Sequence, residues 1–210
     1  MTPAEFLELL GQVRGIAIVR AATREAAGKA MEAAVRGGMR IAEFTLNTPG
    51  ALDLIREFSG RPDVVVGAGT VLDPGQAEAA VAAGARFLVA PVVDEAVIAA
   101  AARLGVAAVP GAYTPTEMLR AHRAGAPLVK VFPAPAGGPD AVRSILGPLP
   151  FLRLVPTNGV TADNLAAYLA AGAYAVGFVR SLFEPAELAA GRWDLVEARA
   201  RTLRDALRAV

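Results

Sequence analysis

Only two lysines occur in a chain whose 21 Lys and Arg residues are otherwise all arginine. Lys29 lies in REAAGKAMEAAVRGG, on the polar side of a helical repeat, and needs no role there. Lys130 lies in PLVKVFPAP among β-branched and aromatic residues, where burial disfavours the ammonium and favours an amine that can attack a carbonyl. Alternate residues of a strand share a face, so Leu128, Lys130 and Phe132 point one way while Val129 and Val131 point the other. In RIAEFTL the same parity groups Glu43 with Thr45, opposite Ala42 and Phe44. A carboxylate and an amine in one interior are expected to meet. They can act as proton carrier and nucleophile in Schiff-base chemistry, or simply form a buried ion pair that fixes register.

Further polar or backbone-special residues close other apolar runs. VGAGTVLDP sets Gly67 and Gly69 beside Thr70, whose hydroxyl and amide can bind a carboxylate. PTNGV and YAVGFVRS carry Thr157, Asn158 and Gly159, then Gly177, Arg180 and Ser181, in positions that suit a phosphate but also suit ordinary turns. AIVR ends on Arg20. Other residues read more plainly: His122, between arginines in LRAHRAG, as solvated; Trp193 and Phe183 as docking the last helix; Arg143 and Arg153 as solvated or facing a neighbouring subunit.

The elements that must position these residues alternate at about 20 to 25 residues, short apolar runs with Ala-rich helical stretches. Strands are expected over 16–20, 40–46, 64–69, 86–91, 106–111, 127–133, 152–157 and 174–179. Helices are expected near 3–13, 23–36, 49–59, 74–83, 94–103, 115–124, 139–146 and 162–171, with Gly37, Gly84, Gly105, Gly125 and Gly172 as stops. The α/β pattern, with an N-terminal helix over 1–14 and a C-terminal helix over 192–210, fits one (β/α)8 TIM barrel domain over residues 1–210. An open doubly wound sheet has the same periodicity. The barrel is preferred because the polar residues recur at strand C-terminal ends, which a barrel gathers on one face.

Composition narrows the chemistry. A net charge of +1, with 21 basic and 20 acidic side chains intermixed, gives no field for nucleic acid or an anionic membrane. With no cysteine, thiolate chemistry is excluded, and a single histidine cannot supply a histidine-rich metal site; a Ser/His/Asp triad would have to use His122, which reads as solvated. The acidic, helix-like start and the lack of a long apolar run predict a cytoplasmic protein.

The set GAGTVL, PGAYTPTE, VKVFPA and PTNGV, in this order and spacing, resembles the class I 2-dehydro-3-deoxy-phosphogluconate (KDPG) aldolases, which include enzymes acting on 4-hydroxy-2-oxoglutarate (KHG). The likeness runs over residues 10–205. It implies a homotrimer of (β/α)8 barrels acting on a small-molecule substrate without metal or cofactor, with Lys130 forming the imine and Glu43 carrying protons. It also implies that Thr70 binds the pyruvyl carboxylate, that Pro91 and Phe132 line the pocket, and that Thr157 with Gly159 orients the aldehyde part. Where some members have TLRT this chain has TLNT with Asn47, so the carboxylate cation is assigned to Arg20. PTNG replaces PTGG, and GFVRS puts Val179 and Arg180 where the family's phosphate turn has small residues. The activity implied is cleavage of KDPG to pyruvate and glyceraldehyde 3-phosphate. KHG cleavage to pyruvate and glyoxylate, cleavage of a stereoisomeric phosphosugar acid, and a non-catalytic phosphosugar-binding barrel are the alternatives.

Overall fold

The computed structural model describes all 210 residues. In chain order the first half comprises α1 (Pro3–Val13), β1 (Gly15–Val19), α2 (Arg24–Arg36), β2 (Ile41–Thr45), α3 (Ala51–Ser59), β3 (Val65–Gly69), α4 (Pro74–Ala82) and β4 (Phe87–Val89). There follow α5 (Glu95–Arg103), β5 (Ala107–Val109), β6 (Gly111–Ala112), α6 (Pro115–Arg123), β7 (Val129–Val131) and α7 (Gly138–Leu146). The chain ends with β8 (Leu154–Pro156), α8 (Leu165–Ala170), β9 (Val176–Phe178), α9 (Pro185–Ala189) and α10 (Trp193–Arg208).

Helix starts are encoded by caps. Thr2 with Glu5 and Thr114 with Glu117 form capping boxes on α1 and α6, and the Thr23, Asp73 and Asp94 side chains accept first-turn amides of α2, α4 and α5. Two helices begin later than the sequence suggests. Residues 48–50 form a turn with Gly50 at φ 69°, and the Thr161 amide donates to Asn164 Oδ1 at 2.8 Å, so α3 and α8 start only at Ala51 and Leu165. The five-residue α9 was not expected, because so short a helix carries no readable period.

All strand pairings are parallel, in sheets of order β5-β4-β3-β2-β1-β9 and β6-β7-β8. The fifth expected strand, 106–111, is divided at Pro110, which has no amide proton for the ladder. Its first part pairs with β4 and its last part with β7, while the Pro110 carbonyl accepts the Lys130 amide at 2.9 Å. Beyond β8 a parallel bridge joins Thr157 to Gly177. The result is a curled parallel sheet.

Strand parity sorts the core. One face buries Ile16, Ile18, Ile41, Phe87, Val89, Ala107, Val109, Leu128, Val155 and Ala175 together with Phe6 and Leu10 of α1. The opposite face, including Ala17, Val19, Ala42, Phe44, Val129 and Val131, packs against the Ala-rich helices. Helix α1 covers the end of the first face where the strands begin. Its Phe6 stacks on Phe87 with ring centroids 4.5 Å apart, and Tyr174 Oη donates to the Leu7 carbonyl at 2.8 Å.

Candidate active site

Lys130 and Glu43 both take the concave-face parity, Lys130 paired with Gly111 and Val155, Glu43 with Ile18 and Gly67. Space for the glutamate comes from β3. A Cβ at Gly69 would overlap the Glu43 carboxylate, and one at Gly67 would press into the Phe87 ring. Glu43 is 1% exposed, and neither carboxyl oxygen has a hydrogen-bond partner. Burial therefore raises its pKa above the ordinary value of 4.5, opposed in part by the positive charges of Lys130 and Arg20. The expected meeting of carboxylate and amine takes a different form: they share the interior and each other's field without a direct bond. Lys130 is 8% exposed, with Nζ 4.9 Å from the centroid of the Phe132 ring. Such an unsatisfied buried carboxyl is uncommon in a core, where polar groups are ordinarily paired, and perturbed groups of this kind concentrate at functional sites.

Lys130 opens into a cavity of about 360 Å³, of the size that holds a small metabolite. Arg20, Phe132, Asn158 and Arg180 also line it, as the sequence suggested, together with Ile18, Thr45, Val179, Phe183 and Pro185. The Arg20 guanidinium reaches Thr70, Nη2 to Oγ1 3.4 Å, and Thr70 itself holds a left-handed φ of 58° at the end of β3. A cation and an amine thus line the cavity, with the Thr70 hydroxyl against the cation and a buried acid in the field of the amine.

Other residues singled out in the sequence stand outside that cavity lining. Pro91 presses its carbonyl against Gly111, where a Cβ would not fit, and is only half-buried. The Thr157 hydroxyl is buried and turned to its own strand, donating to the Val155 carbonyl at 3.1 Å, and Gly177 lies against it because no Cβ fits between Thr157 Oγ1 and Ile18. Gly159 holds φ 129° and its carbonyl accepts the Asn164 side-chain amide at 3.0 Å. In the turn after β9 the Leu182 and Phe183 amides donate to the Val179 carbonyl, while those of Arg180 and Ser181 donate to no backbone acceptor. Arg180 is exposed and paired with Glu184 at 3.5 Å. Phe183, assigned from the sequence to docking the last helix, lines the cavity as well as packing in the core. Lys29 makes a surface pair with Glu25, 2.6 Å, and His122 is exposed beside Phe151. Thr45 shares Glu43's parity and was legible on that ground, and Val179 stands in the GFVRS turn already singled out; Pro185 carried no signal beyond position.

The profile of the KDPG and KHG aldolase family matches residues 7–199. The chain is 39% identical over 141 residues to 2-dehydro-3-deoxy-phosphogluconate aldolase of Pseudomonas aeruginosa, a match spanning 66% of this chain and 64% of that protein. It is 36% identical over 171 residues to KHG/KDPG aldolase of Escherichia coli, across 80% of this chain and 79% of that protein. The KDPG aldolase of Legionella pneumophila, solved with pyruvate captured as a covalent carbinolamine intermediate, superposes with a TM-score of 0.82 at 28% identity, covering 94% of this chain and 97% of that one.

Proposed function

The chain belongs to the KDPG and KHG aldolase family, and from that premise we propose that it is a class I aldolase cleaving KDPG to pyruvate and glyceraldehyde 3-phosphate. The observation that carries the reading is the partnerless Glu43 carboxyl held in the field of Lys130, next to a cavity into which that lysine opens.

The neutral Lys130 amine attacks C2 of the ketoacid, and the carbinolamine loses water to give a protonated imine. That cation draws the electron pair of the C3–C4 bond as Glu43, directly or through a water, takes the proton of the C4 hydroxyl. The aldehyde leaves. The enamine is reprotonated at C3, and water hydrolyses the imine to pyruvate and free Lys130. While the imine is protonated, its positive charge lowers the cost of an ionised Glu43 midway through the cycle. Arg20, aided by Thr70, holds the ketoacid carboxylate, and Phe132 bounds the pyruvyl methyl side. We assign Pro91, Thr157, Asn158 and Gly159 to the aldehyde end, and Gly177, Arg180 and Ser181 to the phosphate. No separate cofactor is called for, since the imine is the electron sink.

A second substrate, KHG, is favoured by one observation. Arg180 is already paired with Glu184, in a turn that carries Val179 and Arg180 where the family has small residues. The eight strands are read as one closed (β/α)8 barrel spanning the chain as a single domain, supported by the Pro110 continuity and the Thr157–Gly177 bridge. A cytoplasmic homotrimer completes the proposal. Exposed Leu72, Val92 and Tyr113, on the loops after β3, β4 and β6, give it an apolar contact surface.

Incubation with pyruvate and borohydride tests the mechanism. A reduced adduct is expected at Lys130 alone, with Lys130→Arg folded and without turnover, because a guanidinium stays protonated and forms no imine. Labelling at Lys29, or none, would overturn it. Condensation of pyruvate with glyceraldehyde 3-phosphate, glyceraldehyde and glyoxylate separates the substrates.

A further inference from the structure

Two buried threonines of the β2 end take no part in the chemistry above. Thr45 and Thr48 are each 2% exposed, joined by a turn in which the Thr48 amide donates to the Thr45 carbonyl at 2.8 Å, and their hydroxyls lie 3.1 Å apart. Each also reaches β1 or its end. Thr45 Oγ1 donates to the Val19 carbonyl at 3.3 Å, and Thr48 Oγ1 accepts the Ala21 amide, also at 3.3 Å.

A hydroxyl has one proton to give. Thr45 uses its proton on Val19, so the proton between the two hydroxyls must come from Thr48. The chain of bonds therefore has one direction: Ala21 N–H to Thr48, Thr48 to Thr45, Thr45 to the Val19 carbonyl. Its two ends grip the peptide groups before and after Arg20. That residue's own side chain is exposed and otherwise makes only the long 3.4 Å bond to Thr70. An exposed arginine has many rotamers to lose on binding, and fixing its backbone on both sides sets the direction from which the guanidinium enters the cavity.

We propose that Thr45 and Thr48 form a hydroxyl clamp that positions Arg20 for the ketoacid carboxylate, making Thr48 a positioning residue for substrate binding although it does not line the cavity. The proposal rests on the reading of Arg20 as the carboxylate's cation. Thr48→Val keeps shape and burial but breaks the chain at its middle. The concentration of pyruvate that half-saturates borohydride trapping, and the KM for the ketoacid, are expected to rise about tenfold, the scale of one misplaced charged hydrogen bond, while kcat changes by less than about twofold. Thr48→Ser restores the hydroxyl and should restore both constants. Arg20→Ala alone should weaken pyruvate at least as much, and adding Thr48→Val to it should weaken pyruvate no further.

If Arg20→Ala weakens pyruvate and Thr48→Val does not, the clamp is refuted and the role of Arg20 stands. Pyruvate affinity unchanged in Arg20→Ala removes the underlying reading, and the clamp with it. Additive losses in the double variant, or a Thr48→Ser that fails to rescue, would show that Thr48 acts through general packing instead. Should Thr48→Val not fold, Thr48→Ala carries the same comparison, since it also deletes the hydroxyl: an about tenfold weaker pyruvate, restored in Thr48→Ser, supports the clamp, and pyruvate affinity equal to that of the parent overturns it.

Discussion

Glu43 links activity and stability in opposite directions. Its pKa is raised in the fold by burial, so below the ordinary value of 4.5 folded and unfolded chains are both protonated and the residue is neutral to stability. As pH rises past that value the unfolded glutamate ionises first, and stability is lost until the folded group also titrates. Glu43→Gln removes that loss. Thermal melts from about pH 4 to pH 8 should show parent and variant converging at the acid end and the variant melting higher at the alkaline end; a difference independent of pH would contradict the burial of an ionisable group here. Over the same range kcat should fall by roughly 10² to 10⁴, the usual worth of a positioned proton carrier. Strand parity made Glu43 and Lys130 legible as cohabitants of one face. It did not reveal that the carboxyl would lack a partner, because side-chain reach across an interior is set by neighbours such as Gly69 that are distant in sequence.

At the level of elements, glycines separate packing from catalysis. Gly37 looks in the sequence like a helix stop needing a left-handed residue, but its φ is −70° and the left-handed residue is Gly38, at 103°. Gly37 is small because α10 crosses it: a Cβ there would lie 2.7 Å from the Glu197 carbonyl oxygen and against Ala200. Gly37→Ala is therefore expected to lower stability by about 1–3 kcal/mol, as overpacking does, and to leave KM and kcat unchanged. Gly69→Ala should do the reverse, with modest loss of stability but most turnover gone, since the added methyl takes the place of the Glu43 carboxylate. Denaturation and steady-state kinetics on the pair check this, and full turnover in Gly69→Ala would mean that the carboxylate need not sit where it does. The break at Pro110 and the short α9 escaped the sequence for a common reason. Periodicity averages over a turn or more of chain, and each of these features occupies only a few residues.

For the molecule as a whole, the alternation of strands and helices could be read locally, each from its own apolar run and turn. Curling is not read from periodicity alone. It depends on pairings such as Gly15 with Val176, between residues at opposite ends of the chain, and on the bridge between Thr157 and Gly177. Helix α1 then closes the strand-start end with Phe6 and Leu10, both fully buried. In the closed barrel proposed above, that stopper leaves a vessel with a single mouth, and traffic through it has to queue. With the aldehyde end placed toward the opening as proposed, the aldehyde has to depart before the enamine is reprotonated and water reaches C2 of the imine to hydrolyse the linkage. Product inhibition should record this order: pyruvate, last out, competes with the ketoacid for the empty enzyme, whereas the aldehyde inhibits noncompetitively by re-entering behind bound pyruvate. A competitive aldehyde would mean the vessel has a second door.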